Sequence, residues 1–173
     1  MSFHGALLCC YCSHVPGNCL GANGQEPNLC QPLLTALGRI LANRVTKTER
    51  TNYELVVSQY VLDEASCGDP VLAAERMQVL AGIPLLPNAP QITQIANEIM
   101  TRAILPPSAQ VDALHIATVA HHRIQYLLTW NCKHIANAKI LPRIHQLLTE
   151  AGLPIPVICT PEELLGNDSE IDG

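Results

Sequence analysis

The sequence predicts an α/β fold: a mainly parallel sheet with helices on both faces. Short, mainly apolar runs (Tyr53–Val57, Ile83–Leu86, Tyr126–Trp130, Val157–Cys159) alternate with longer stretches of helical period. Within each run apolar residues do not alternate with polar ones, so both faces of each strand call for cover, as in a parallel sheet between helices. Helix start and stop residues fall between the runs where that alternation needs them.

Ser58 is placed to cap a helix running through Val61, Leu62 and Ala65 to Gly68. Asp69 and Pro70 form a cap followed by proline at the first helical position, and Gly82 stops that helix. Ile83–Leu86 then reads as a strand. Pro90 opens a helix with Ile92, Ile95, Ala96 and Ile99 at i, i+3, i+4 and i+7. Pro106 and Pro107 interrupt, and Ser108 is expected to cap a helix through Asp112, Leu114, Ile116 and Ala120. After the Tyr126–Trp130 run, a helix from about Pro142 carries Ile144, Leu147 and Leu148 and ends at Gly152. Thr160 and Glu163 have capping-box spacing and open a short last helix that ends near Gly166.

Residues 1–48 have a different character. Their one acidic residue is Glu26, and Gly, Asn, Pro and Cys dominate from Pro16 to Pro32 without a period. A helix is expected over Pro32–Ala42. Ala6–Cys12 is a short apolar run able to fill the centre of the sheet through Leu7, Leu8 and Tyr11. This Cys-rich segment is expected to be less ordered than the domain over residues 49–166, with residues 167–173 as a tail.

A chain of 173 residues suits one domain with a real core. With 48% hydrophobic and 14% charged residues it belongs among globular proteins. A net charge of −5 argues against a chain-wide grip on nucleic acid. It leaves room for a local groove, and Arg123, Lys133, Lys139 and Arg143 form the one basic cluster. No apolar run reaches the roughly 18 residues of a membrane span. No Lys or Arg precedes Ala6–Cys12, and bulky Leu8 does not suit lipidation at Cys9, so a cytoplasmic protein without a membrane partner is expected. Five of the eight cysteines (Cys9, Cys10, Cys12, Cys19 and Cys30) lie in the first 30 residues. No matching second C-x2-C pair accompanies them, which favours free thiols over zinc at Cys9, Cys10, Cys12 and His14.

Open α/β sheets bind ligands beyond the carboxyl ends of their strands. Glu64 lies on the helix after the first regular strand, Asp112 in the first turn of the helix feeding the third, and Asn131 and His134 follow that strand. Two carboxylates and an amide oxygen converging there suit Mg2+ or Mn2+. A cation so held can activate water for phosphodiester cleavage. Each residue also has an ordinary structural reading: an acid in a first helical turn complements the dipole. His115 reads as packing or hydrogen bonding, His121 and His122 as dipole partners, and Trp130 as packing at the sheet end.

Three stretches carry a family resemblance: Val56-Val57-Ser58-Gln59-Tyr60-Val61-Leu62-Asp63-Glu64-Ala65, Asp112-Ala113-Leu114-His115-Ile116-Ala117 and Tyr126-Leu127-Leu128-Thr129-Trp130-Asn131. In this order they resemble the successive signature blocks of PIN-domain proteins, with the nearest likeness to the VapC-like toxin branch. Similarity continues through Cys132–Asn137 and Val157–Leu164, and spans about residues 53–166. The resemblance implies a three-layer PIN-like fold and a Mg2+- or Mn2+-dependent endoribonuclease. It further implies an RNA substrate, an antitoxin protein as partner and a homodimeric assembly. It makes Glu64 and Asp112 metal ligands and catalytic acids, and puts Asn131 where many relatives carry a fourth acid.

The family's first acid is missing, since Phe3–His14 contains none. A reading-frame shift upstream of about Thr48 and a divergent N-terminus both stand as explanations. The gap keeps open a non-catalytic PIN-like module that binds nucleic acid or a partner. A metal-thiolate protein built on the N-terminal cysteines is a third reading.

Overall fold

The structure, a computed structural model, describes residues 4–8, 53–131 and 133–165. Four strands, β1 (His4–Leu8), β2 (Tyr53–Val56), β3 (Tyr126–Leu128) and β4 (Val157–Cys159), form one sheet in the order β2-β1-β3-β4. Every pairing is parallel, with Leu7 opposite Val56 and Leu127, and Leu127 opposite Ile158. The expected parallel sheet is therefore present.

The centre of the sheet is filled by β1, which starts two residues before the apolar run expected there. Ala6 and Leu7 are fully buried. The division near residue 48 is thus one of composition, because the chain on both sides of it contributes to the same sheet. The helix expected over Pro32–Ala42, the clustered cysteines, the order of residues 1–48 outside β1 and the tail 167–173 lie outside the described residues.

Two strands differ from expectation. Ile83–Leu86 makes a single parallel bridge, Leu85 to Val57, rather than a strand. Pro84 has no N–H to give to a ladder, and Leu85 is half exposed. The contact is limited to Val57 N–H on the Pro84 carbonyl and Leu86 N–H on the Val57 carbonyl. Tyr126–Trp130 is regular only to Leu128, although the Thr129 N–H still donates to the Cys159 carbonyl at 2.9 Å.

The helices are α1 (Gln59–Ala65), α2 (Pro70–Leu80), α3 (Pro90–Thr101), α4 (Gln110–His121), α5 (Leu141–Glu150) and α6 (Pro161–Leu165). Ser58 Oγ accepts from the Val61 N–H, and Asp69 Oδ1 accepts from those of Val71 and Leu72. Thr160 and Glu163 form the reciprocal capping box, at 2.7 and 3.1 Å. Ser108 is not the cap expected of it. The two prolines lead into a 3-10 turn over Pro107–Ala109, and α4 starts from Ala109 without a side-chain cap.

Strand residues alternate between two cores, which makes the fold three layers. Leu7, Val56 and Leu127 face the core formed with Ile92, Ile99, Ile116 and Ile144 of α3, α4 and α5. Ala6, Leu55 and Leu128 face the opposite core, with Val61 and Ala65 of α1 and Leu80 of α2. Burial of the inner strands on both faces explains why their residues do not alternate between apolar and polar. Small Ala6 on β1 leaves room for Tyr53 and Tyr126 on the flanking strands to meet edge to face, 5.2 Å between centroids.

Helix ends follow two patterns. At α2, Gly82 (φ 80°) takes the left-handed position of a turn closed by the Ile83 N–H on the Leu80 carbonyl. Helices α3, α4 and α5 end in Schellman motifs, in which the N–H groups of Ile104, Ile124 and Leu153 reach the carbonyls of Ile99, Val119 and Leu148. Glycine fills the left-handed position only after α5, at Gly152, whereas Ala103 (φ 50°) and Arg123 (φ 55°) fill it after α3 and α4. Among the described residues no helix is long and apolar enough to cross a membrane.

Candidate functional site

Parallel strands bring their carboxyl ends to one side of the sheet. There β2 runs through Ser58 into α1, and β3 runs through Thr129 to Asn131. Thr129 is fully buried, and its Oγ1 accepts from the Asn131 N–H at 3.0 Å, turning the chain sharply as it leaves the strand. Helix α4 enters the same region, with Asp112 in its first turn favoured by the helix dipole. Asp112 and His115 are three residues apart on α4 and so share a face.

Three further side chains, Asn131, His134 and Glu64, gather around that face. Asp112 Oδ1 accepts from Asn131 Nδ2 at 2.9 Å, and its Oδ2 lies 2.8 Å from His134 Nδ1. Asn131 is almost fully buried, and its Oδ1 accepts from the His134 N–H at 3.0 Å. That bond fixes the amide with its nitrogen, not its oxygen, toward Asp112. One turn further along α4, His115 Nε2 lies 2.8 Å from Glu64 Oε2 of α1. The structure therefore brings Asp112 and Asn131 into direct contact and ties Glu64 to the same helix through His115.

The carboxylates sit in a sparsely hydrated place, with side-chain exposures of 15% for Glu64 and 14% for Asp112. Burial raises the Glu64 pKa above the ordinary 4.5, the His115 imidazole opposes that rise, and the charge of Asp112 adds to it. Among the described residues His115 Nδ1, which is buried, has no hydrogen-bond partner, and the ring is held through Nε2.

As donors, the two carboxylates supply hard oxygen ligands, and each oxygen has lone pairs beyond the one its partner uses. Such a set suits Mg2+ or Mn2+, which is commonly held by one or two carboxylates with its water retained. Among the described residues no group of three or more His, Cys, Asp and Glu side chains is arranged to hold a metal. The Asn131 oxygen, expected as an auxiliary ligand, is engaged by backbone.

The remaining candidates are dispersed. Trp130 packs partly buried against the Ala6–Leu55–Leu128 core. Arg123, Lys133 and Lys139 are exposed, while Arg143 donates to the Arg102 carbonyl at 3.0 Å. His122 Nε2 lies 2.9 Å from the Pro87 carbonyl. Sequence reasoning missed Thr129 and the pairing of each acid with a histidine. Its available signal was the Asp112/His115 spacing, which puts an acid and an imidazole on one helical face. No family model, curated protein or solved structure matches the chain.

Proposed function

We propose that this chain is a PIN-type, divalent-metal-dependent endoribonuclease of reduced activity, acting on single-stranded RNA in the cytoplasm and restrained by an antitoxin protein. The observation that carries the reading is the convergence of Asp112, Asn131 and, through His115 of the same helix, Glu64 at the carboxyl ends of parallel strands. The order of the blocks around Glu64, Asp112 and Asn131 supports it independently.

Glu64 and Asp112 are the residues that would hold Mg2+ or Mn2+. When bound, such a cation supplies a water acidified for attack on a phosphodiester and neutralises the leaving oxygen. Asn131 holds the Asp112 carboxylate in place through Nδ2. The sheltered floor of the site, with Asn131 and His115 buried, strengthens each charge interaction there. Exposed Lys133 and Lys139 lie in the chain just beyond Asn131 and offer contacts to flanking phosphates.

Two anionic ligands in place of the family's three or four hold the cation weakly, so cleavage is slow. Losing a ligand oxygen costs about tenfold or more, judging from the roughly 10–100-fold effects of changes one shell further out. The test is cleavage of a mixed single-stranded RNA pool by the full chain, with Mg2+, Mn2+ or chelator. Cleavage is expected to need the metal and to vanish in Glu64→Gln and Asp112→Asn. Chelator-resistant cleavage, or full activity in either variant, overturns the mechanism. RNA binding without cleavage under any condition turns the reading to the non-catalytic module, which the engagement of both Asp112 oxygens also favours.

A further inference from the structure

We infer that His115 and His134 are positioning residues of the Glu64/Asp112 site, each locking one carboxylate in its ligating orientation before a cation arrives. The inference rests on the reading above, that these two acids hold a divalent metal.

Its basis is a crossed arrangement. Helix α4 gives a carboxylate, Asp112, to the imidazole of His134 in the turn after β3. The same helix gives an imidazole, His115, to the carboxylate of Glu64 on α1. Both contacts are 2.8 Å, and they join residues 22 and 51 positions apart in sequence. One rigid helix thus fixes both acids relative to each other. A free Glu side chain samples many rotamers, and ordering it when a cation binds would cost affinity. A hydrogen bond to one oxygen removes most of that freedom and leaves the other available, as at Glu64, where among the described residues only Oε2 is engaged. At Asp112 both oxygens are engaged, and a cation would be met by the lone pairs left on each.

The two histidines use different ring nitrogens, and this separates them experimentally. His134 acts through Nδ1, whose place an Asn amide nitrogen takes. His115 acts through Nε2, whose place a Gln amide nitrogen takes. A role in stapling α1 and the β3 turn onto α4 would alter folding stability alone, whereas positioning alters cation affinity in the folded protein. His115 is fully buried, so its donor is best removed by His115→Leu, which fills the space.

The experiment titrates Mn2+ into the metal-free full chain and follows the paramagnetic resonance signal of free aqueous Mn2+, with circular dichroism confirming the folded state. His134→Ala and His115→Leu are expected to weaken Mn2+ binding about 10–100-fold, with His134→Asn and His115→Gln returning close to wild type. Unchanged Mn2+ affinity in folded His134→Ala overturns the positioning role and leaves the metal reading standing. Absence of Mn2+ uptake by the wild type at millimolar concentration removes the metal reading and this inference with it.

Discussion

At Asn131 a neutral amide stands against the Asp112 carboxylate, and its contacts show what it does there. Its nitrogen donates to Asp112 Oδ1 at 2.9 Å. Replacing it with Asp would put two carboxylates at that distance and force one to take up a proton unless a cation intervenes. Asn131→Asp is therefore expected to lose about 1–3 kcal/mol without metal and to recover it with Mn2+. Thermal melts with and without Mn2+ check this, and an unchanged metal-free melting temperature would count against the geometry. Glu64 makes a separate prediction. Burial raises its folded pKa, so its contribution to stability is complete below the ordinary 4.5 and is lost as pH climbs through the raised value. The melting temperature of Glu64→Gln, relative to wild type, should rise with pH above 4.5 in chelator; a flat difference refutes the shift. Placement near the strand ends, together with the resemblance carried by the blocks around them, singled out Glu64, Asp112 and Asn131 in the sequence. The orientation of the Asn131 amide was not legible there, because it is set by the His134 backbone N–H.

Among the elements, legibility followed glycine and proline. The starts of α2 and α3, and the ends of α2 and α5, are marked by Pro70, Pro90, Gly82 and Gly152. The ends of α3 and α4 carry no such mark, because Ala103 and Arg123 are driven into left-handed backbone while Ile104 and Ile124 turn back onto the core. Ala103→Gly is expected to stabilise the fold by up to about 1 kcal/mol, since a non-glycine residue there costs roughly 1–2 kcal/mol and glycine returns part of that as entropy. Denaturant unfolding measures it, and a destabilised variant would contradict the strain. Arg76 was equally hidden. It is a buried arginine on α2 whose Nε donates to the Ala65 carbonyl at 2.9 Å and whose Nη2 reaches the Cys67 carbonyl. It thereby closes the carboxyl end of α1, a role that depends on another helix's carbonyls. Arg76→Leu should cost about 2–4 kcal/mol by stranding those carbonyls; a loss near zero in the same unfolding assay would show that water serves them equally well.

For the whole molecule, the alternation of apolar runs and helical stretches was enough to give the fold class, since the inner strands β1 and β3 are covered on both faces. The central strand was harder to place, because His4–Leu8 lies ahead of a long stretch without period. Hydrogen exchange checks that position: the amides of Ala6 and Leu7 should exchange as slowly as that of Leu127. Fast exchange there would leave the sheet without its centre.

The strand order also governs how the protein is made. β1 joins β2 to β3, and Leu8 pairs with Leu128, about 120 residues later in synthesis. At 5–20 residues per second, this apolar strand waits roughly 6–24 s for that partner. Throughout that interval the nascent chain offers an unmatched strand edge to its surroundings, and cellular yield depends on what shields it until the third strand has been made.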